Sequence, residues 1–132
     1  MRDFTMYGFH TTYNGSFDEA KQRVTEELGN EGFGVLTEID VKATLKKKLD
    51  VEKRPYTILG ACQPTLANQA LDAEPDIGLL LPCNVVVREE ENGDITVGFI
   101  DPHALLSVTV RDDLKPFAED VKKRLERVCS SL

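Results

Sequence analysis

Apolar and polar positions alternate over residues 7–13: Tyr7, Phe9, Thr11 and Tyr13 fall on one side, with His10 on the other. That two-residue period predicts a strand. Asn14-Gly15 ends it, and Ala20, Val24 and Leu28 then recur four apart, as on one face of a helix. Ser16 and Glu19 frame a capping box, and Gly29-Asn30 supplies a stop, so a helix is predicted over 17–29. A second strand is predicted over 32–40, with Phe33, Val35, Thr37 and Ile39 facing one way. Asp40 can cap a short helix over Val41–Leu49, whose Lys46-Lys47-Lys48 run lies near its C-terminal end, where cations suit the dipole. Such a lysine run reads as a solvated helix end rather than an anion site.

Past a polar loop over 50–55, the largely apolar stretch Tyr56–Cys62 predicts an interior strand. Pro64 stands where a helix can begin, with Leu66, Ala67, Ala70 and Leu71 as its apolar face. Pro75 and Gly78 break the chain. Residues 79–87 have strong strand composition, interrupted at Pro82, and Asn92-Gly93 signals a hairpin back along Ile95–Ile100. Asp101-Pro102 turns the chain; residues 104–110 fit either a strand or a helical turn. Leu114, Phe117, Val121, Leu125 and Val128 then mark one face of a last helix, over 114–129. No repeat or linker divides residues 1–132. The expected fold is therefore α+β: one domain, with a mixed sheet of about five strands and helices mainly on one face.

The 132 residues carry 23 Asp and Glu against 16 Lys and Arg, a net charge of −7 that argues against binding nucleic-acid backbones. No apolar run approaches the ~20 residues needed to span a bilayer, so no membrane partner is expected. The first six residues lack a secretory pattern, which makes the cytoplasm the expected location and the chain mature as written. Cys62, Cys83 and Cys129 form an odd set with no CxxC pair, which fits reduced thiols better than a disulfide framework or structural zinc.

Candidate chemistry gathers at predicted strand ends. Cys62 closes one strand and Cys83 follows Pro82; Gln63 and Asn84 beside them can each donate and accept hydrogen bonds. Glu38 and Asp40 share a strand face, and Asp101 and His103 lie past the end of another. Convergence of these ends would make a cleft holding two thiols, carboxylates and an imidazole. Each residue has a plainer reading beside it: Cys62 and Cys83 as small core residues, Asp40 as a helix cap, Asp101 as a turn residue, His103 as a surface or capping residue. Gly32 and Gly34 are followed by a strand rather than a helix, and no Walker motif is present, so familiar nucleotide-binding loops are excluded.

Several segments in order, GFGVLTEID, KATLKKKL, ILGACQP, GLLLPCNVVV and FIDP, resemble a prokaryotic family catalogued as domain of unknown function 302. The resemblance runs from about Ser16 to Pro102. It implies a compact α+β domain, dimeric in at least some members, and brings no activity, substrate or cofactor. Gln63 stands where the family usually has Asn, and Val41 where many relatives have His, so a role built on that His does not carry over.

Three function classes follow. One is binding of a small molecule or soft metal ion at a Cys62/Cys83 cleft, with Gln63, Asn84, Glu38 and Asp40 around a ligand, or His103 completing a metal set. The second is a thiol-dependent enzyme using Cys62, set just before a helix N-terminus. The third is a non-catalytic homodimeric interaction module. The cofactor, if any, is unknown.

Overall fold

The computed structural model describes residues 7–109 and 111–132 in full and the backbone of residues 2–4. Ser16 is extended, and its hydroxyl accepts the Glu19 amide at 3.1 Å, which starts helix α1 (Phe17–Asn30) as the capping box predicts. Ala20, Val24 and Leu28 on α1 are fully buried. They pack on one face of a sheet together with Val121, Leu125 and Val128 of the last helix, α5 (Lys115–Ser130).

Among the described residues the sheet has six strands: β1 (Arg2–Phe4), β2 (Gly8–Tyr13), β3 (Gly34–Asp40), β4 (Tyr56–Cys62), β5 (Cys83–Glu89) and β6 (Ile95–Ile100). Their spatial order is β1-β2-β6-β5-β4-β3, and every neighbouring pair is antiparallel. The fold is one α+β domain, as expected, and the expected mixed sheet is corrected to an all-antiparallel one. The alternation of strands with helices suggested crossovers, which place strands parallel. Here α2 (Val41–Leu49) and α3 (Pro64–Ala73) are instead inserted into connections that double back between neighbouring strands, β3 to β4 and β4 to β5.

The register sorts side chains cleanly. Phe9, Phe99, Val85, Leu59 and Ala61 face the helices, and the Phe9 and Phe99 rings stack at 5.4 Å. The opposite face carries His10, Gly98, Val86, Ile58 and Gly60 and is covered far less. Phe9 and Thr11 point inward as expected, whereas Tyr7 stays exposed, ahead of the strand.

Three local expectations change. The single face expected for Phe33, Val35, Thr37 and Ile39 is broken by a bulge at Leu36, so Val35 pairs beside Ala61 while Thr37 lies opposite Gly60 on the other face. Residues 79–82 are not strand: a 3₁₀ segment runs over Pro75–Leu80, and β5 begins only at Cys83. Within that segment Ile77 is buried and Leu79 faces solvent at 86% exposure. Residues 104–109 take the helical alternative, in α4 (Pro102–Leu106) and a following turn; Val110 at the end of that stretch lies outside the described residues.

A second apolar cluster, Ala70, Ile77, Leu106, Leu114 and Ala118, closes one end of the molecule. Phe117 packs against both clusters. The space between them is the candidate site.

Candidate functional site

β4 delivers Cys62 at its last position, and the chain passes at once into α3 through Gln63 and Pro64. Gln63 is extended, and its side-chain Oε1 accepts the Leu66 amide at 2.7 Å, so this residue caps α3. Its Nε2 end lies against Gly32, 3.1 Å from where a Cβ would stand, and Gly32 also has φ +84°. A side chain at 32 would thus be strained and would displace the Gln63 cap.

A cavity of about 250 Å³ opens between the end of β4, the start of β5, α3 and α5. Cys62, Gln63 and Cys83 all line it, with Leu66 and Ala67 from α3 and Phe117 from α5. The void exists because small residues meet there: Ala61, Ala67 and Gly78 leave space that larger side chains would fill. Its walls are almost wholly apolar. The volume lies between the ~150 Å³ of an engineered cavity that binds benzene and the roughly 300–1,000 Å³ of drug-sized pockets.

The two thiols are in unlike settings. Cys62 is partly exposed, and Cys83 is buried at 5% exposure. Burial, and secondarily the neighbouring Cys62, push the Cys83 thiol up to about 11. It is a protonated thiol at neutral pH, an adaptable apolar contact more than a ligand for a cation.

Other predicted site residues are elsewhere. Asn84 lies opposite Gly60 on the open face of the sheet, bordering a groove with Tyr56, Val86 and Arg88. Glu38 pairs with Lys21 of α1 at 3.0 Å. Asp40 caps α2, accepting the Ala43 amide at 2.9 Å. Asp101 caps α4 through the His103 amide at 2.9 Å and pairs with Lys122 at 3.2 Å. His103 sits 2.7 Å from Glu119 and borders a separate depression with Arg111 and Lys115. The metal set of Cys62, Cys83 and His103 is therefore not assembled, and no three His, Cys, Asp or Glu side chains converge among the described residues. Nor does a histidine or carboxylate line the cavity beside Cys62.

Both thiols and Gln63 stand out in the sequence as site residues, whereas the cavity walls do not. Leu66, Ala67, Leu71, Phe117 and Val121 are legible as apolar helix faces; that part of those faces stays uncovered depends on the path of residues 75–82. No helix among the described residues is long and apolar enough to cross a membrane.

A crystal structure of an uncharacterised conserved protein from Bacillus stearothermophilus superposes with a TM-score of 0.89 at 32% identity, covering 96% of this chain and 98% of that one. An uncharacterised protein of Aquifex aeolicus is 31% identical over 94 residues, 62% of this chain; the matched stretch spans just under two thirds, 65%, of that relative. The family model described as domain of unknown function DUF302 matches residues 9–132, and the chain belongs to that family.

Proposed function

We propose that this domain binds a small apolar molecule in the cavity between α3, α5 and the facing ends of β4 and β5. The observation that supports this reading is the cavity itself: about 250 Å³ of apolar space at the seam of two packed clusters, with a reachable thiol on its wall. An open cleft with apolar walls keeps that surface in water until a ligand of matching shape covers it. A ligand of this fit has roughly ten non-hydrogen atoms, an aromatic ring or a short acyl group, and gains affinity by removing apolar surface from water. The protonated Cys83 and the absence of a third converging ligand favour such a molecule over a soft metal ion. The lack of an imidazole or carboxylate on the walls weighs against a Cys62 nucleophile. A partly exposed thiol persists in a reducing compartment, which fits the cytoplasm.

Saturation-transfer NMR with toluene, indole and octanoate tests the reading. At least one should bind the native protein and fail to bind Ala67→Phe, which fills the cavity while circular dichroism stays unchanged. Equal binding by a folded Ala67→Phe, or no binding of any of the three, overturns it.

A second reading rests on the sheet face turned away from the helices. Ile58, Val86 and Ile100 there are only half-buried, and Tyr7 beside them is 67% exposed. Pairing of two copies across this face would complete their burial, giving a homodimer. Light scattering should then report twice 14.7 kDa, reduced to the single mass by Val86→Arg; a single mass at every concentration removes this reading.

A further inference from the structure

The charge of this chain is unevenly placed. Residues 41–54 hold six of its sixteen Lys and Arg, Lys42, Lys46, Lys47, Lys48, Lys53 and Arg54, against Asp50 and Glu52 alone. That segment carries +4 and the rest of the chain −11. Lys46 is engaged by Asp50 at 2.6 Å and Glu52 at 2.8 Å, and Arg54 donates to the Glu89 carbonyl. Lys42, Lys47, Lys48 and Lys53 have no such partner among the described residues, so their charge faces outward.

Part of the apolar surface of the same segment faces solvent. Helix α2 contains no buried residue. Val41, Leu45 and Leu49 recur four apart on one side of it, flanked by Lys48 and Lys42. Val41 and Leu45 border a shallow depression with Pro55, Tyr56 and Arg88, so the stripe begins against the sheet. It leaves the protein at Leu49, which is 65% exposed, and Val51 just after it is exposed too. Ile39, on the preceding edge strand, is exposed as well. Ile39, Leu49 and Val51 thus put three exposed large apolar side chains, among the described residues, within 39–51.

We propose that the α2 arm docks on an anionic phospholipid surface. Such a surface satisfies both halves of the arm: headgroup phosphates and carboxylates take the lysines, and the acyl boundary takes Leu49 and Val51. Long lysine stems beside an apolar stripe can cover it and still hold their ammonium groups at the headgroups. A polyanion such as RNA would use the lysines and leave the leucine in water. The −11 elsewhere does not forbid docking, because screening confines its repulsion to about 8 Å at physiological salt. Contact through a nine-residue arm makes the association reversible and salt-sensitive rather than a fixed anchor.

The chain has no Trp, so Leu49→Trp provides a single reporter at the tip of the arm. With vesicles of phosphatidylcholine and phosphatidylserine at 7:3, its emission should shift to the blue, and the bound fraction should fall as salt rises. Lys42→Glu with Lys48→Glu should weaken binding by about tenfold or more. Pure phosphatidylcholine vesicles should give no shift. An unchanged spectrum with anionic vesicles, an equal response to neutral ones, or undiminished binding by the folded double variant each overturns the proposal. A blue-shifted emission without lipid, together with a doubled mass, assigns the arm to a second copy instead. Binding of RNA that matches or exceeds binding of the vesicles assigns it to a polyanion.

Discussion

Thr37 and Gly60 face each other across β3 and β4 with no room for another side chain: a Cβ on residue 60 would run into Thr37 Oγ1 and come within 2.8 Å of Pro82 Cγ. This contact joins the β3 bulge to the segment that leads into β5, and it lies behind the cavity that Cys62 and Pro82 border. Gly60 is thus required by close packing, not by its backbone angles.

Gly60→Ala should cost about 2 kcal/mol in urea unfolding, within the range of overpacked interiors. Removing the hydroxyl and methyl with Thr37→Ala in the same chain should recover part of that loss, because the two positions share one contact. Strictly additive losses would show that Pro82, not Thr37, sets the limit.

Cys83 makes stability fall in alkali. Its thiol is raised from 9.0 to about 11 by burial and by the adjacent Cys62, so the unfolded chain loses that proton first. The contribution is complete below pH 9 and is lost as pH rises from 9 through 11. Two units correspond to roughly 2–3 kcal/mol at the far end of that window. Unfolding free energy measured from pH 8 to 11 should decline less steeply in Cys83→Ala than in the native protein. Parallel curves would mean that water reaches Cys83 freely.

Helix caps separate global from local stability. Ser16→Ala removes the cap of α1, whose Ala20, Val24 and Leu28 belong to the main core, and should lower global stability by about 1 kcal/mol. Asp40→Ala removes an equivalent cap from α2, which has no fully buried residue. It should speed amide exchange within α2 and leave the unfolding midpoint nearly unchanged. An equal midpoint loss for both variants would contradict this division.

Both caps are legible in the sequence because they depend on residues three apart, and so are α1, α5 and the Asn92-Gly93 hairpin, which are local as well. Antiparallel order was not legible, because nothing local to Val41–Leu49 or Pro64–Ala73 distinguishes a helix that crosses a sheet from one that doubles back beyond its end. The site divides in the same way. Cys62 and Gln63 adjoin a helix start that Pro64 announces, so their place at a strand end could be read directly. Asn84 and Cys83 are adjacent in sequence, yet strand alternation sends one to the open face and the other into the cavity. Their facing depended on where β5 begins, and 79–82 looked like strand. His103 was drawn toward the thiols by its place after β6, but its partner is Glu119, sixteen residues on.

Thiol chemistry should resolve the cavity directly. Cys62 is partly exposed on its wall, whereas Cys83 and Cys129 are buried at 5% and 3% exposure. A thiolate-directed reagent such as Ellman's should therefore titrate one thiol quickly in the native protein at pH 8 and all three in denaturant. Cys62→Ser should abolish the fast phase and leave the fold intact. Because Cys62 faces the same space as Leu66 and Phe117, a bound apolar molecule stands in the reagent's path. Saturating toluene, indole or octanoate, whichever binds, should slow the fast phase in the native protein. In Ala67→Phe the fast phase should no longer respond to the added compound, since the space it would occupy is filled. Equal slowing in both proteins would place the compound outside the cavity, and a fast Cys83 beside Cys62 would mean that β4 and β5 open at this end far more readily than their packing allows.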